Sequence, residues 1–481
     1  MSCSHYKKWV KTSRKEQNMR KWHLMILFLG LGFTLTMAQE GIPFKKIGEV
    51  QPRHAKEIKA SNWSVGAETM DRDYTIYENW KEYLGPLGIK KARLQAGWAK
   101  TEQEKGVYHF DWLDEIVFDM DEQGVEPWMC LCYGNPLYSP SGIRLGAALP
   151  TDETTLQAWE RWVRLVVVRY KDIIDEWEVW NEPNNKKNPP EVYADLLIRT
   201  AEAILEIQPD AKILAMSLAG VGTDWPENVL QAVQQAGKLD LIDQITYHPY
   251  KHNPDESYDQ VAELRAMIGR YADHIIIRQG ENGAPTSRRN SKALRNHDWT
   301  ELSQAKWALR RLLGDLGRDI PTSYFSIMDM KYPDEMNVKG LLKSREDQTV
   351  EYRRPSYFAV QALASIFDHT LDRIPHYAFA DNADRSLSLF GYENKYSGKQ
   401  IVTVWFDDEI PSDSNKKINV DFTFFSGMFE EPVLVDLRET TVYEIPDENW
   451  SQKGAVYEFT DIPVYDSPVL IADKSLILIR N

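Results

Sequence analysis

The stretch IIDEWEVWNEP, residues 173–183, is a short strand-like run that ends in a polar turn, with Glu182 just before a proline. Proline lacks an N–H and cannot continue a central strand, so we predict that the strand ends at this point. A second apolar run, 275–277, is followed by QGENG, residues 279–283, which puts Glu281 at a comparable position. The two stretches therefore predict two acidic side chains at the ends of two strands.

Short apolar runs alternate with amphipathic helical patterns between about residues 62 and 368. Strand candidates begin near Trp63, Lys91, Glu126, Ile174, Ile213, Ile242, Ile275 and Thr322. Helical patterns include 74–83, 112–120, 156–170, 192–207, 262–271 and 303–316. Strand-then-helix units repeated in this way predict an α/β fold, a (β/α)₈ TIM barrel over 62–368. A doubly wound sheet is the alternative, but it would be expected to carry a glycine-rich nucleotide loop after its first strand, and residues 64–68 do not form one.

The pattern changes near Pro375, where short alternating runs separated by turn residues replace the helical spacing. These runs are 386–392, 400–406, 418–424, 433–437 and 469–479. They predict an antiparallel β-sandwich at 369–481, and we expect the polar segment 39–61 to wrap the barrel or the sandwich. Because its aromatic residues Phe422, Phe424 and Phe425 suit an interior, we favour a bracing role for the sandwich over glycan binding.

Residues 1–38 have the features of a secretory signal peptide. Seven Lys and Arg residues precede an apolar run at 24–35, and small residues follow near Ala38. Twelve apolar residues are too few to span a bilayer. We therefore predict a secreted or periplasmic protein, cleaved near Ala38, with no membrane anchor in the mature chain.

The whole chain carries a net charge of −15, and removal of residues 1–38 leaves 50 Lys and Arg against 71 Asp and Glu, a net charge of −21. This balance argues against nucleic acid or an anionic membrane as partner and favours neutral ligands. A local basic patch could still bind an anionic polysaccharide. Cys130 and Cys132 lie two apart on one predicted strand, where a mutual disulfide is disfavoured, and they are too few for a zinc site.

Two carboxyl groups at the strand ends of one barrel are the smallest set of side chains that can catalyse cleavage of a glycosidic bond. One carboxyl protonates the departing oxygen, and the other attacks the sugar carbon or activates water. Active sites of TIM barrels lie at the carboxyl ends of the strands, where Glu182 ends the fourth strand and Glu281 the seventh.

These motifs resemble those of the clan A retaining glycoside hydrolases. The Asn181-Glu182 pair matches the acid/base motif of the clan, and Glu281 matches the nucleophile on strand seven. Arg93 matches the arginine beneath the nucleophile, and the segment 247–250 matches a His and Tyr pair. Within the clan, the EVWNEPN string and the trailing sandwich are most similar to family 39.

The resemblance implies a role for each of these residues. Glu182 must hold a proton near neutral pH, which burial beside a second carboxylate favours. Glu281 must stay ionised, helped by Arg93 and the Tyr250 hydroxyl, and Asn181 would bind the sugar 2-hydroxyl. Two alternatives remain open: Arg93 could form a buried structural ion pair, and His248 and Tyr250, which share a strand face, could point outward.

Further residues at strand ends are candidates for contacts with the sugar. They are Glu68, Gln95, Trp98, Tyr133, Asn135, Asp329 and Lys331. Three long connections at 134–151, 284–300 and 331–355 are expected to shape the substrate site.

The sequence thus predicts a retaining glycoside hydrolase acting on a plant- or algal-type poly- or oligosaccharide, without a metal or organic cofactor. A catalytically silent carbohydrate-binding protein on the same barrel is one alternative, and a transglycosylase is another. The sugar, the linkage, exo or endo action and the oligomeric state stay open.

Overall fold

The computed structural model describes residues 41–139, 147–185, 188–289 and 292–481. The predicted signal peptide, 1–38, lies outside the described residues, so its cleavage stays a prediction. Among the described residues, none of the helices has the length and hydropathy needed to cross a membrane.

In the described part of the chain, eight parallel strands close into a barrel, which confirms the (β/α)₈ prediction and excludes the doubly wound alternative. The barrel strands are β2 (Trp63–Gly66), β3 (Lys91–Gln95), β4 (Glu126–Leu131), β5 (Glu176–Val179), β6 (Lys212–Ala219), β7 (Gln244–His248), β8 (Ile276–Asn282) and β9 (Thr322–Tyr324). Strand β9 pairs with β2 and closes the ring. Because all strands are parallel, their carboxyl ends meet at one face.

Helices follow most of the barrel strands and pack apolar residues against the barrel. They are α1 (Trp98–Thr101), α2 (Asp111–Glu122), α3 (Glu153–Tyr170), α4 (Pro190–Leu205), α5 (Asp224–Gln235), α6 (Tyr258–Gly269), α7 (Glu301–Leu316) and α8 (Pro355–Ile366). The predicted helix at 74–83 is wrong, since this segment forms separate 3₁₀ turns at Tyr77–Asn79 and Lys81–Tyr83. Trp80, between them, has a non-helical φ of −136°. Gly85 and Pro86 follow closely and would end a helix here, so the segment between residues 74 and 84 is too short to form a stable helix.

Two hairpins follow β9 at the carboxyl-end face of the barrel. They pair β10 (Met330–Lys331) with β11 (Met336–Asn337), and β12 (Leu342–Ser344) with β13 (Val350–Arg353). Asp329 anchors the region, because its carboxylate accepts hydrogen bonds from the Arg354 guanidinium at 2.7 and 2.8 Å and from the backbone N–H of Gly340 at 2.9 Å. Asp329 is therefore structural and does not contact a sugar as predicted. Lys331 points to the exposed Glu346.

The C-terminal region is an antiparallel sandwich, as predicted. One sheet runs β14 (Leu371–Arg373), β16 (Leu387–Asn394), β17 (Gln400–Phe406), β23 (Val469–Asp473), β19 (Pro432–Asp436), β20 (Thr441–Glu444), β1 (Lys46–Val50) and β24 (Ile479–Arg480). The other runs β15 (Phe379–Asp381), β18 (Ile418–Phe424), β22 (Val456–Val464) and β21 (Trp450–Lys453). The predicted wrap segment thus contributes β1 to the first sheet. Residues of both sheets share one apolar core.

The sandwich braces the barrel through α7, most of whose residues are buried. The Lys306 ammonium donates to the Asp466 carboxylate at 2.7 Å, and the Arg310 guanidinium donates to the carbonyl oxygen of Glu409 at 2.9 Å. Phe422 and Phe424 lie inside the sandwich, as predicted. Phe425 does not, since the alternation of the strand turns it outward and leaves it 48% exposed.

Candidate active site

Glu182 and Glu281 meet at the carboxyl-end face of the barrel. Glu182 lies three residues beyond β5, with a positive φ of 49°, and its backbone N–H donates to the Ser217 carbonyl oxygen at 2.9 Å. Trp180, Met216 and Ser217 also have positive φ values. Non-glycine residues held in the left-handed region cost of order 1–3 kcal/mol each and cluster at functional sites.

The two carboxylates and one imidazole form a tight group. One oxygen of Glu182, one nitrogen of His248 and one oxygen of Glu281 all lie within 4.8 Å of one another. The Glu182 and Glu281 side chains are 11% and 12% exposed, while His248 is fully buried. Both carboxylates are therefore partly accessible to solvent and lie next to buried polar groups.

Glu281 lies in a setting that favours its ionised form. The Tyr250 hydroxyl donates to one oxygen at 2.8 Å and the Arg93 guanidinium to the other at 3.1 Å. Burial alone would raise the pKa of Glu281, but the charges of His248 and Arg93 and the Tyr250 hydrogen bond outweigh it and hold the pKa below its ordinary value. An ionised carboxylate aimed at the pocket is what a nucleophile requires.

Arg93, on β3, is fully buried and connects three carboxylates. It contacts Glu68 at 3.0 Å, Glu281 at 3.1 Å and, through Nε, Glu178 at 2.9 Å. Both interpretations from the sequence thus hold, because Arg93 is a buried ion pair and also lies under Glu281. Glu178 was not predicted, although two glutamates alternate with apolar residues in β5, and a charged residue in a buried strand requires a partner inside the protein.

His248 and Tyr250 both point toward the two carboxylates, His248 to Glu182 and Tyr250 to Glu281, which excludes the outward alternative. A β-bulge in β6 turns the Ser217 hydroxyl inward, where it lies 3.1 Å from Nε2 of His248. The other ring nitrogen, Nδ1, lies 2.9 Å from Glu182 Oε1. Burial alone would lower the pKa of His248, but the Glu281 charge and the Glu182 hydrogen bond outweigh it and raise the pKa.

Asn181 and Asn185 complete the Glu182 side of the site. The Asn181 amide oxygen accepts from Arg93 at 2.7 Å, and its amide nitrogen donates to the Tyr133 hydroxyl at 2.7 Å. Asn185 donates to Glu182 Oε2 at 2.6 Å. Each Glu182 oxygen therefore has a fixed partner, which holds the carboxyl in one orientation.

Of the remaining candidates, Trp98 and Asn135 belong to the structure around the site. Trp98 is fully buried, stacks on Tyr138 at 5.3 Å and Trp162 at 5.9 Å, and so cannot contact a sugar as predicted. Asn135 is also buried and donates to the Glu102 carbonyl oxygen at 2.8 Å, which corrects the predicted substrate contact. The directions of both side chains depend on how helices and loops pack, which cannot be inferred from a position at the end of a strand.

Gln95, Tyr133 and Glu68 contact other polar residues of the site. Gln95 accepts a hydrogen bond from Arg72, Tyr133 accepts one from Asn181, and Glu68 pairs with Arg93. We therefore assign them a supporting role, in which they position residues of the site.

A cavity of about 670 Å³ opens above Glu182 and Tyr250. Its other lining residues are Arg72, Tyr74, Lys292, Ala293, Phe325, Tyr332, Pro333, Asp334, Asn337 and Lys339. Most of them come from two of the three predicted site-shaping connections, 284–300 and 331–355. None of these ten was predicted individually, because nothing in a loop sequence indicates which side chain will turn inward.

One prediction concerns Glu68, a buried acid that contacts Arg93 beneath the two carboxylates of the site. Burial is the main cause that raises its pKa from 4.5 to about 8, and Arg93 only partly opposes it. The folded chain then keeps a proton that the unfolded chain releases, so this group lowers stability as the pH rises from 4.5 to about 8. We expect Glu68→Gln to flatten the fall in the unfolding midpoint over this range, measured by circular dichroism.

The control for this experiment is Glu263→Gln, at an exposed position on α6. It should leave the pH dependence of the unfolding midpoint as in the wild type. Parallel curves for the wild type and Glu68→Gln would contradict the raised pKa.

Among the described residues, the one group of His, Cys or carboxylate side chains close enough to share a cation is Glu182, His248 and Glu281. Their ligand atoms already take part in hydrogen bonds with one another, Arg93, Tyr250 and Asn185. The same arrangement of two acids and an imidazole can bind, hold and transfer protons.

The chain is a (β/α)₈ barrel that carries two carboxylates at the carboxyl-end face, and solved structures share the fold. One is a family 39 glycoside hydrolase from the gut symbiont Bacteroides cellulosilyticus WH2, with a TM-score of 0.62 and 18% identity over 86% of this chain and 81% of that chain. Another is a monomeric β-xylosidase from Caulobacter crescentus CB15, with a TM-score of 0.59 and 15% identity over 89% and 98%. A family 30 endoxylanase from Clostridium papyrosolvens C71 has a TM-score of 0.54 and 11% identity over 89% and 98%.

Sequence comparisons add a partial match. No protein-family model matches the chain. A curated 6-phospho-β-glucosidase from Clostridium longisporum is 26% identical over 176 residues, which cover 30% of this chain and 36% of that protein. The match thus spans about a third of the length of that relative. The resemblance to clan A glycoside hydrolases, including family 39, is confirmed at the level of the fold.

Proposed function

We propose that this protein is a retaining glycoside hydrolase that cleaves O-glycosidic bonds by double displacement. Glu281 is the nucleophile in this proposal and Glu182 the acid/base. The observation that carries it is the approach of the two carboxylates, with oxygen atoms within 4.8 Å of each other. Retaining enzymes hold their carboxyl groups about 5–5.5 Å apart, whereas inverting enzymes leave about 6.5–9.5 Å for a water.

In the first step Glu281 attacks the anomeric carbon while Glu182 gives its proton to the departing oxygen. Arg93 and Tyr250 keep Glu281 ionised until the attack and stabilise the carboxylate when it leaves. In the second step Glu182 takes a proton from water, which attacks the glycosyl–enzyme and releases the sugar. His248 and Asn185, one at each Glu182 oxygen, keep the carboxyl oriented through both steps.

Asn181 supports the transition state in the same proposal. Arg93 and Tyr133 hold its amide in place, and an amide nitrogen has a second N–H for the sugar 2-hydroxyl. A contact of this kind strengthens as positive charge develops on the sugar ring.

The substrate in this proposal is a plant- or algal-type poly- or oligosaccharide. Tyr74 and Tyr332, whose ring centres are 4.7 Å apart, provide an aromatic surface on the pocket wall for a sugar ring. Two of the structurally similar proteins are a β-xylosidase and an endoxylanase, so xylosides are the first substrates to test. A silent carbohydrate-binding protein is less well supported, because both carboxylates and the groups that orient them are present.

The test is the anomeric configuration of the first product. Wild-type protein is screened on aryl glycosides and polysaccharides, and the hydrolysed substrate is followed by ¹H NMR before mutarotation. Retained configuration supports double displacement, and inverted configuration contradicts it. Tight glycan binding without hydrolysis of any substrate would favour the binding protein, while transfer of sugar to added alcohols at the expense of hydrolysis would favour the transglycosylase.

We also propose that the mature chain is secreted or periplasmic. The support is the basic, apolar and small-residue order of 1–38. N-terminal sequencing of the exported protein should begin at or near Gln39, and an exported or retained protein that keeps residues 1–38 would contradict cleavage.

A further inference from the structure

Glu178 is a buried carboxylate that no step of the proposed mechanism uses. It lies on β5, and its side chain is fully buried. One oxygen accepts hydrogen bonds from two nitrogens of Arg93, from Nε at 2.9 Å and also from Nη2. The other oxygen accepts a hydrogen bond from the hydroxyl of Thr246 on β7. Both oxygens therefore have partners inside the barrel, which holds the carboxylate in one position beside the guanidinium.

The contacts of Glu178 determine which way the Arg93 guanidinium points. Glu178 occupies the edge formed by Nε and Nη2, and Nη2 also donates to the Asn181 amide oxygen at 2.7 Å. The remaining nitrogen, Nη1, is left for Glu281 at 3.1 Å and Glu68 at 3.0 Å. A guanidinium is planar and rigid, so a contact that holds one edge also sets the position of the opposite nitrogen.

The glycine at position 280 leaves space for Glu178. A Cβ atom on Gly280 would lie 3.2 Å from the Thr246 Cβ, 3.4 Å from His248 Nε2 and 3.6 Å from Glu178 Oε1. Because glycine has no side chain, these buried groups pack against the backbone of the residue that precedes Glu281. Glu178 is therefore also a neighbour of the segment that carries Glu281.

Glu178 also offsets the charge of Arg93. Burial would lower the pKa of Arg93, but carboxylate charges outweigh it, and the charge of Glu178 is the largest of these. Glu68 holds a proton at neutral pH, because burial raises its pKa to about 8. Glu178 and Glu281 are then the carboxylates that balance the guanidinium.

The titratable groups around the two carboxylates come from several elements of the barrel. Those that face Glu281 are Arg93, His248, Lys339, Tyr250, Tyr332, Glu68 and Glu182. Those that face Glu178, besides Arg93, are the Cys130 thiol on β4 and the Tyr193 hydroxyl on α4. Burial raises the pKa of both, so neither carries a charge near neutral pH. Arg93 is therefore the charged group in contact with both Glu178 and Glu281.

We propose that Glu178 is a positioning residue for Glu281, because it orients the Arg93 guanidinium and offsets its charge. The inference rests on the proposed function and deepens it, since it explains how a carboxylate beside an arginine stays reactive. A carboxylate that takes the full charge of an arginine through paired hydrogen bonds is ionised but weakly nucleophilic, because nucleophilicity falls with the pKa. Glu178 takes the double contact and leaves Glu281 a single one.

Glu178→Gln tests the role of the charge. An amide fills the same space, can accept from Arg93 and can donate to Thr246. Without the Glu178 charge, Arg93 acts more strongly on Glu281, so we expect the acid limb of kcat/KM to move to lower pH by about one pH unit. Plateau kcat/KM should fall about tenfold, because Glu281 becomes a weaker nucleophile.

Further variants isolate the effect. Glu176→Gln is the matched control, since Glu176 is the other glutamate of β5 and pairs with Arg278 at 2.6 Å and Lys91 at 2.9 Å. It should leave the acid limb unchanged even if it lowers the unfolding midpoint. Glu178→Asp keeps the charge further from Arg93, so its acid limb should lie between those of wild type and Glu178→Gln. In the Glu68→Gln background the effect of Glu178→Gln should be larger, because no second acid can then supply the missing charge.

A titration of Glu281 itself separates this inference from the proposed function. Glutamate is labelled with ¹³C at Cδ in the full chain, and the Glu281 signal is the one that is absent from Glu281→Gln. The pKa of Glu281 should fall by about one pH unit in Glu178→Gln, whether or not a glycoside is hydrolysed. This fall together with inverted products, or with no hydrolysis, would remove the proposed function and leave the effect of Glu178 on Glu281 established.

Two results would overturn the inference. One is a Glu281 pKa in folded Glu178→Gln equal to that of wild type, which would leave the proposed function standing. The other is an equal fall in Glu176→Gln, which would make the effect a general consequence of losing a buried ion pair in β5. Unfolding midpoints establish that the variants are folded, and if Glu178→Gln does not fold, Glu178→Asp provides the same test with a smaller change.

Discussion

Glu281→Ala is expected to lower kcat/KM by about 10⁴-fold or more, because removal of a nucleophile eliminates the covalent route and leaves only binding and electrostatic effects. No neighbouring group can replace it. Glu68 and Glu178 are held below the pocket by Arg93, and Glu182 is committed to the proton transfers. The measurement is the initial rate on the substrate that the screen identifies.

The effect should be catalytic and not a loss of folding. Arg93 keeps its contacts with Glu178 and Glu68 in Glu281→Ala, so its buried charge stays paired with the Glu178 carboxylate. Glu263→Ala, at an exposed position on α6, is the matched control and should retain full activity. Residual activity of Glu281→Ala within tenfold of wild type, in a protein with a normal unfolding midpoint, would remove Glu281 from the mechanism.

Glu182→Ala is expected to lose activity by about 10²–10⁴-fold on substrates with poor leaving groups, the contribution typical of general acid–base catalysis. Activated aryl glycosides need less protonation, so their first step should be less affected. The glycosyl–enzyme would then accumulate, because no base activates water. Azide should restore turnover, since it fills the space of the missing side chain and attacks without a base.

The product identifies the role of Glu182. Attack by azide on the glycosyl–enzyme gives a glycosyl azide with the configuration of the substrate, which NMR detects. Azide should have no effect on wild type, which retains its nucleophile and its base. In Glu281→Ala, azide can only displace the leaving group directly from the space of the missing carboxylate, which gives a glycosyl azide of inverted configuration. A glycosyl azide of inverted configuration from Glu182→Ala would contradict double displacement. An inverted azide from Glu182→Ala together with a retained azide from Glu281→Ala would reverse the two assignments.

The residues whose positions differ from the prediction share one physical cause. Trp98 and Asn135 stand at strand ends like Glu182, yet the first packs among helix residues and the second closes a loop. The expected helix at 74–83 is broken into 3₁₀ turns near Gly85 and Pro86. Position along the chain predicts the edge of the barrel at which a residue lies, but not the direction of its side chain once neighbouring elements pack.

The sequence by itself determined the barrel, the sandwich and the placement of the two carboxylates at strand ends. Periodicity and strand-end motifs are local features, so they can be recognised from the order of the residues alone. Arg93, His248 and Tyr250 could be predicted for the same reason, since each lies on or just beyond a strand. Tertiary structure alone decided that Arg93 joins three carboxyl groups and that Lys339, in the connection between β11 and β12, lines the pocket. Such contacts depend on loop paths and desolvation, which arise only when segments far apart in the chain are packed together.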